Sequence, residues 1–319
     1  MTVSRLRIEK SHPLCQLQDA GRFGVRHLGI TQGGAADWVS MGWANWLLGN
    51  PPGAAVIEIT LGGFELSAQS DCHLALAGAD LQATVDGAAL LPWRSFNLRR
   101  GQRLAFNAPA EGVRAYLAAP GGFMGTEASG SVATVTRDGL GGLHGDGAAL
   151  VAGDMLKWAA PAGQGREIAV ARIPDLSLRQ PLDLVLGAQA ADFAGQSLFD
   201  AFNAEWTVDS RADRMGVRLL GPALVYKGAG LVSEGIPLGG VQVPPDGQPI
   251  VLGNERQTIG GYPRLGALTP LACARLAQAS PGQRLRLRAV LAETARAGHL
   301  EVVRSLEEAG GRPSGEARQ

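Results

Sequence analysis

Short apolar runs separated by turn residues make up most of the chain. Such runs predict strands in the first half at Val56–Leu66, Cys72–Leu76, Leu81–Val85, Ser95–Leu98, Arg103–Asn107 and Val113–Ala118. In the second half they predict strands at Glu167–Arg172, Leu182–Leu186, Trp206–Ser210, Val217–Leu220, Ile250–Leu252 and Arg284–Val290. Strands at a spacing of roughly 8–12 residues favour barrels or sandwiches over a doubly wound sheet. The 45 glycines among 319 residues fit many tight turns between them.

Helical periodicity is limited to a few segments. In Ala36–Leu48, Val39, Trp43 and Leu47 recur at helical spacing, and Asp37 stands where it can cap the first turn. Further helices are predicted at Asp192–Phe202, Pro270–Gln278 and Glu293–Glu308. The expected fold is therefore mainly β with peripheral helices. The tryptophans of the first helix, Trp38, Trp43 and Trp46, suit either a core-filling helix or an exposed partner-binding face.

An internal repeat suggests that the chain contains a duplicated unit. Three matches follow in the same order: Arg22–Gly29 with Arg214–Gly221, Gln82/Asp86/Gly87 with Gln242/Asp246/Gly247, and Gly101–Leu104 with Gly282–Leu285. The spacing between matches changes, which indicates half-specific inserts at Gly33–Thr60 and Gly253–Ala274. Segments specific to one half are candidates for function, and shared segments are candidates for scaffold.

The repeat also predicts the domain limits. We expect an N-terminal β-barrel-like domain over 1–160 with a helical insert at 33–60. A linker is expected at Pro161–Arg166, followed by a C-terminal barrel domain over 167–309 and a disordered tail over 310–319.

Composition excludes several classes of function. The formal net charge is zero, so no nucleic-acid partner is implied. Three scattered cysteines argue against a disulfide framework, and no segment resembles a signal peptide or membrane span, so a cytoplasmic protein without membrane contact is expected. The five histidines are too scattered to predict a metal site. No phosphate-binding P-loop or nucleophile elbow is visible.

The most unusual segment is Gly253–Pro263, inside the second insert. It places Glu255, Gln257, Thr258 and Tyr262 around the glycine pair Gly260–Gly261. Glycines allow the backbone to approach a ligand closely, and free N–H groups can hold an anion or a carbonyl oxygen. A hairpin loop with mutually satisfied polar groups explains the segment equally well.

Other candidates have both structural and functional interpretations. The repeated pairs Asp19/Arg22 and Asp213/Arg214 favour structural forks over substrate binding, because both halves keep the arginine. Glu58 is an acid in an apolar strand. Burial would raise its pKa and allow acid/base chemistry, and an edge position is the alternative.

Several motifs together resemble the allophanate hydrolase subunit 2 family, which includes the C-type subunits of 5-oxoprolinases and part of the carboxyltransferase domain of urea carboxylase. These motifs run in order from about residue 14 to 295 and include Leu17–Gly24, Gly34–Asp37, Ala44–Asn50, Glu58–Thr60, Tyr116–Gly122, Asp213–Leu219, Gly240–Pro244 and Gln257–Pro263. One departure is Ala128–Thr134, which lacks the arginine usual in the family.

The resemblance implies cyclophilin-like β-barrels and work beside a kinase-inhibitor-like B-type subunit. One implied activity is ATP-dependent opening of the 5-oxoproline lactam to glutamate, together with A-type and B-type subunits. A second is carboxyl transfer from carboxybiotin, on a separate carrier, to urea or a related amide. A third role is non-catalytic binding of the B-type subunit.

We expect a component of a 5-oxoprolinase that is not active alone, because the chain has neither a phosphate cradle nor a biotinyl-lysine context. ATP would be used by the complex, and no covalently bound cofactor is expected. The expected polar site for a small amide or lactam comprises Glu255, Gln257, Thr258 and Tyr262, lined by Gly260 and Gly261. Second candidates are Asp19, Arg22, Asp213, Arg214 and Gln242.

Overall fold

The computed structural model describes residues 4–158 and 165–309 of the chain. These residues form a mainly β structure with four α-helices, as the pattern of short apolar runs predicted. The tail 310–319 and most of the expected linker 161–166 lie outside the described residues. Within the described ranges, no helix combines the length and apolar character that a membrane crossing requires.

The N-terminal part consists of two antiparallel sheets. Its elements are β1 (Ser4–Lys10), β2 (Cys15–Gln18), α1 (Trp38–Leu47), β3 (Val56–Thr60), β4 (Phe64–Ala68), β5 (Cys72–Asp80), β6 (Thr84–Val85), β7 (Ala88–Ala89), β8 (Arg94–Leu98), β9 (Arg103–Phe106), β10 (Glu111–Ala118) and β11 (Met155–Trp158). One sheet has the order β11-β1-β4-β9-β6-β7, and the other has β2-β3-β10-β5-β8. Leu66 and Phe106 of the first sheet share a core with Ile57, Leu74 and Leu117 of the second.

The C-terminal part is a nearly closed barrel. Its elements are β12 (Leu182–Leu186), α2 (Gly195–Asn203), β13 (Trp206–Val208), β14 (Gly216–Leu220), β15 (Glu234–Gly235), β16 (Gly240–Gln242), β17 (Ile250–Leu252), β18 (Ile259–Gly260), β19 (Arg264–Leu268), α3 (Pro270–Ala277), β20 (Arg284–Leu285), β21 (Leu287–Val290) and α4 (Ala292–Ala309). Eight strands pair in the order β20-β13-β14-β17-β16-β19-β12-β21. Only Arg286 separates β20 from β21, so one bent segment covers both edges of the sheet. Strands β15 and β18 form a separate two-stranded ribbon.

Helix α1 covers the outer face of the second N-terminal sheet. Val39 and Trp43 pack with Ala77 and Tyr116 of that sheet, and Leu306 of α4 belongs to the same cluster. Trp43 is only 2% exposed, and Arg166 lies over the ring of Trp46. The interpretation of α1 as an exposed aromatic docking face is therefore wrong, because the C-terminal helices cover its outer side.

Several predicted strands differ from the structure in their end residues, and three differ in kind or continuity. Val56–Leu66 is two strands, because Gly62 and Gly63 both have positive φ and reverse the chain between β3 and β4. The prediction of a strand at Glu167–Arg172 was wrong. This segment has a single bridge from Glu167 to Arg94 and ends in a 3₁₀ turn at Val170–Arg172. Arg284–Val290 is divided at Arg286, where the barrel closes.

The three repeat matches differ in how well their conformations agree. Gly101 and Gly282 both have positive φ and both lead into a strand, and their N–H groups donate to Ala68 O and Val208 O in the neighbouring strands. Gly87 and Gly247 also share a positive φ in turns between strands. In contrast, Arg22–Gly29 contains a 3₁₀ turn, whereas Arg214–Gly221 contains β14.

Gly62 and Gly101 provide a matched pair for testing the turn that separates β3 from β4. Both have positive φ, but a Cβ on Gly62 would lie 1.6 Å from Asn107 O, whereas a Cβ on Gly101 would meet nothing within 4 Å. We expect Gly101→Ala to lower the free energy of unfolding by roughly 1–2 kcal/mol, the strain of a left-handed residue. Gly62→Ala should cost on the order of 4 kcal/mol because the backbone must also move. Equal losses in urea unfolding would contradict this account.

Candidate functional site

Glu58 lies at the centre of a buried polar cluster. Strand β3 pairs with β2 on one side and β10 on the other, so Glu58 is not an edge residue. Its side chain is in contact with the segment leading into α1, where Ala36 N donates to it at 2.8 Å. The Tyr116 hydroxyl donates at 2.9 Å, and Arg214 forms an ion pair with it through Nη1. Glu58 is 1% exposed, so these groups replace its water.

The charges around Glu58 determine its protonation state. Burial by itself raises the pKa of this carboxyl group, but the guanidinium groups of Arg214 and Arg114 and two hydrogen bonds outweigh burial. The pKa of Glu58 is therefore below its ordinary value, and the expectation of a raised pKa was wrong. Glu58 is a carboxylate at neutral pH, which suits an ion-pairing role and not that of a general acid.

Arg214 joins the two halves of the chain. Besides Glu58, it binds Glu255 through Nε at 2.5 Å and donates to Gly34 O. Glu255 and Arg214 were both predicted site residues, and the structure brings them together. Burial alone lowers the pKa of Arg214, but the charges of Glu58 and Glu255 raise it above its ordinary value. The guanidinium is therefore permanently charged.

The two half-specific segments meet at this cluster. Asn254 Nδ2 donates to Ala35 O at 3.0 Å, and Gly33 N donates back to Asn254 O at 3.1 Å. The start of the loop Gly253–Pro263 is thus fixed against the segment that leads into α1. These backbone contacts hold the loop independently of its later polar residues.

Gln278 makes a second connection between the halves. Its Oε1 accepts from Val113 N and Arg114 N, each at 3.0 Å, and its Nε2 donates to Asp37 at 2.7 Å. Asp37 caps α1 by accepting from Val39 N and Ser40 N. Burial raises the pKa of Asp37 in spite of these hydrogen bonds.

A cleft lies beside the cluster, between the barrel and the N-terminal part. It has a cavity volume of only about 50 Å³ and is bounded by Arg114 and Arg214 together with apolar side chains of the barrel and α3, such as Val217 and Leu276. The two arginines are balanced by Glu58 and Glu255. Asp213 also lines the cleft, so the arginines of the cleft wall have carboxylates beside them.

The second part of the loop lies beside a different groove. Thr258 lines a groove of about 480 Å³, and Gly260 pairs with Glu234 in the ribbon. The Gln242 amide is close to Gly260, because a Cβ on that glycine would lie 2.9 Å from Gln242 Nε2. Gln257 is partly buried, whereas Gly261 is exposed and Tyr262 is 49% exposed. The structure thus places Gln242, Gln257, Thr258 and Gly260 around the ribbon, with Gly261 and Tyr262 toward solvent.

Asp19 and Arg22 both make structural contacts, but within the described residues no ion pair joins them, and each binds the segment 128–133 separately. Arg22 donates to Ala128 O and Ala133 O, and Asp19 accepts from the Ser131 hydroxyl and from Val132 N. The pair therefore holds the segment in which the family arginine is missing.

Asp213 also has a local role. Its carboxylate accepts hydrogen bonds from Met215 N and Gly216 N and stabilises the turn before β14. Its repeat partner Asp19 instead binds a distant loop. The two aspartates therefore do not make equivalent contacts.

Sequence reasoning missed several polar residues of this region. Arg256 is 3% exposed and was not predicted as a site residue. It lies between Glu255 and Gln257, which were predicted, and this position in the polar run Asn254–Thr258 could have identified it. Arg26 binds the backbone of the same run, but it belongs to a repeated segment that was expected to be scaffold. Arg114 and Gln278 gave no local signal, because their partners are distant in sequence.

Comparisons with known proteins agree on one family. A family model described as "Carboxyltransferase domain, subdomain A and B" matches residues 28–289. The C-type subunit of the Haemophilus influenzae 5-oxoprolinase is 35% identical over 275 residues, covering 86% of this chain and 87% of that protein. The protein of the same name from Escherichia coli is 35% identical over 281 residues, covering 87% and 89%. A putative urea carboxylase of Emericella nidulans is 31% identical over 283 residues, covering 82% of this chain and 22% of that protein.

Solved structures show the same fold. The crystal structure of TTHA0988 has a TM-score of 0.80 at 35% identity, and the match covers 90% of this chain and 56% of that one. The K. lactis urea amidolyase has a TM-score of 0.89 at 22% identity, covering 98% of this chain and 20% of that one. This chain therefore spans about half of the first structure's chain and a fifth of the second.

Removing the Arg214 guanidinium should destabilise the protein. We expect Arg214→Met to lower the free energy of unfolding by about 3–5 kcal/mol, because Glu58 and Glu255 would remain buried with too little positive charge. Arg284→Met is the matched control, since Arg284 pairs with Glu205 and the two side chains are 70% and 42% exposed. It should change stability little. Urea unfolding of both variants measures the difference, and similar losses would refute a central role for Arg214.

The pKa of Glu58 predicts a pH dependence. Since folding lowers this pKa below its ordinary value of 4.5, the carboxylate stabilises the fold above that pH. This stabilisation is lost as pH falls through the lower pKa of the folded state. We expect the difference in unfolding free energy between the wild type and Glu58→Gln to be largest at neutral pH and to shrink under acid conditions. Glu205→Gln, at a half-exposed surface ion pair, is the control. A Glu58→Gln difference that does not change with pH would argue against the assignment.

Proposed function

The chain belongs to the family of carboxyltransferase domains, subdomains A and B, and from this premise we propose that it is the C-type subunit of an ATP-dependent 5-oxoprolinase. In this role it acts with A-type and B-type subunits to open the 5-oxoproline lactam to glutamate. The observation that supports this proposal is how much of each relative the match covers. The two bacterial relatives that bear this name match this chain over 87% and 89% of their own lengths. The urea carboxylase relative matches over only 22% of its length.

The loop Gly253–Pro263 suits a small amide. Thr258 lines the groove beside the ribbon. Gln257 and Gln242 lie next to Gly260 of the ribbon, and their side-chain amides can both donate and accept hydrogen bonds. Such groups can orient the carbonyl oxygen and N–H of a lactam. Glu255 is paired with Arg214, and its proposed role is to fix the start of the loop. Tyr262 is half exposed, and its proposed role is to contact the substrate or a partner protein from the solvent side.

Reaction with ATP requires the other subunits. No P-loop sequence is present in this chain, so the phosphate chemistry belongs to a partner in this proposal. The bacterial relatives are named as subunits, which implies a complex of several chains. The contribution of this chain is then to position the amide and to complete the complex.

A carboxyltransferase is the second candidate. The description of the family model and the urea carboxylase relative favour it. In that case carboxybiotin would arrive on a separate carrier, and the same loop would hold urea or a related amide.

Reconstitution tests the first proposal. We expect ATP-dependent release of glutamate from 5-oxoproline only when the chain is combined with its A-type and B-type partners. Thr258→Val should reduce the rate by about tenfold, the effect of losing one hydrogen bond of about 1.4 kcal/mol to the reacting molecule. Thr207→Val, a threonine of β13, is the matched control and should leave the rate unchanged.

The outcomes of the reconstitution separate the candidates. No release of glutamate by the full mixture would refute the 5-oxoprolinase proposal. Carboxylation of urea by the chain with its B-type partner, a biotin carboxylase and a carrier would establish the second candidate. A stable complex with the B-type partner and no turnover in either assay would indicate that the chain only binds the B-type subunit and has no catalytic role.

A further inference from the structure

Arg26 and Arg256 share a single acceptor. Arg26 Nη2 and Arg256 Nε each donate to Ile236 O at 3.1 Å, so the two guanidinium groups lie close together. Arg26 also donates to the carbonyl oxygens of Gln257 and Thr258. All of these acceptors are neutral.

Two like charges at such a site need a counter-charge, and neither guanidinium has one. Within residues 4–158 and 165–309, no carboxylate forms an ion pair with Arg26 or Arg256, and Nη1 of Arg26 is buried without an acceptor. Burial lowers the pKa of both groups, and repulsion by Arg26 helps to bring the pKa of Arg256 to about 10. The thiol of Cys273 is close to Arg256, but burial raises its pKa to about 12, so it remains neutral.

This arrangement contrasts with the cluster around Glu58. There, Arg214 and Arg114 face two carboxylates, and the charges balance. Buried charges in proteins are normally paired, because an unpaired charge loses its hydration without compensation. The unbalanced pair therefore indicates that a negative group binds here.

The groove beside Thr258 gives such a group access. Arg26 and His27 form one wall of this groove, and Arg264 contributes to another. Arg264 is already paired with Glu234 at 3.1 Å, which leaves the charge of Arg26 free. A guanidinium presents its donors in a planar fork that fits the oxygens of a carboxylate or a phosphate.

We propose that this groove is an oxyanion site, in which Arg26 binds the carboxylate or phosphate group of a small molecule and Arg256 positions Arg26 and adds positive potential. The site rests on the proposed function for its biological role, because Thr258 lines the same groove and 5-oxoproline carries a carboxylate. Binding of the oxyanion itself depends only on the unbalanced charges.

The isolated chain is sufficient for the test. Binding is measured by calorimetry and by the shift in melting temperature, at constant ionic strength, with three probes: L-5-oxoproline, 2-pyrrolidinone and inorganic phosphate. 2-Pyrrolidinone is the same lactam ring without the carboxylate. We expect L-5-oxoproline or phosphate to bind and raise the melting temperature, and 2-pyrrolidinone to do neither. Binding of L-5-oxoproline identifies a carboxylate as the ligand group, and binding of phosphate alone identifies a phosphate.

Variants assign the binding to Arg26. Arg26→Met should weaken binding by about tenfold or more, the effect of losing a charge-assisted hydrogen bond. Arg26→Lys keeps the positive charge but lacks the planar donors of the guanidinium group, so it should lose less affinity. It replaces Arg26→Met in the test if the methionine variant does not fold. Arg99→Met, at an exposed arginine, is the matched control and should bind as the wild type does.

Two results would overturn the site: no binding of either oxyanion, or binding that is unchanged in Arg26→Met and Arg26→Lys. Failure of the 5-oxoprolinase proposal gives a different result. Oxyanion binding would then depend on Arg26, while the reconstituted complex releases no glutamate.

Discussion

The position of Arg214 between Glu58 and Glu255 is the interaction on which the rest of the structure depends. One guanidinium group neutralises a carboxylate from the N-terminal sheet and another from the C-terminal loop, and it also binds the backbone at Gly34. Neither carboxylate could be buried alone, because its hydration would be lost without replacement. The start of the loop, the segment before α1 and the contact between the two halves are therefore fixed together.

Charge balance separates the two polar regions of the molecule. At the Glu58 cluster the buried arginines and carboxylates have opposite charges beside them, and the region holds elements in place. Near Ile236 two arginines meet only neutral oxygens, and the resulting positive potential reaches a groove that is open to solvent. The loop Gly253–Pro263 connects both regions, since Glu255 belongs to the first and Arg256 to the second. In the proposed site, adjacent residues of one loop thus have different roles: Glu255 fixes the loop in place, and Arg256 supports the arginine that binds the oxyanion.

Local features of the fold were predictable from the sequence, and non-local ones were not. The predicted bounds of β12 agree with those found at Leu182–Leu186, and Asp37 does cap α1, because periodicity and capping depend on neighbouring residues. The direction of the Glu58 pKa was not predictable, because the charge that lowers it comes from Arg214, distant in the chain. The site was predictable only in part. The polar loop was recognised, but Arg26 belongs to a repeated segment that was expected to be scaffold, and its carbonyl partners, which lie in the other half, gave no local signal.

The bent segment around Arg286 also affects how the polypeptide acquires its shape. The barrel begins with β12 at Leu182 but cannot close until the segment ending at Val290 has paired with both of its edges. Helix α4 follows directly, and Leu306 packs against the cluster that contains α1, near the other end of the chain. During synthesis on the ribosome, the C-terminal barrel therefore keeps two unpaired strand edges until the segment ending at Val290 has been made. Aggregation and chaperone binding are therefore expected mainly in the interval between synthesis of β12 and synthesis of that segment.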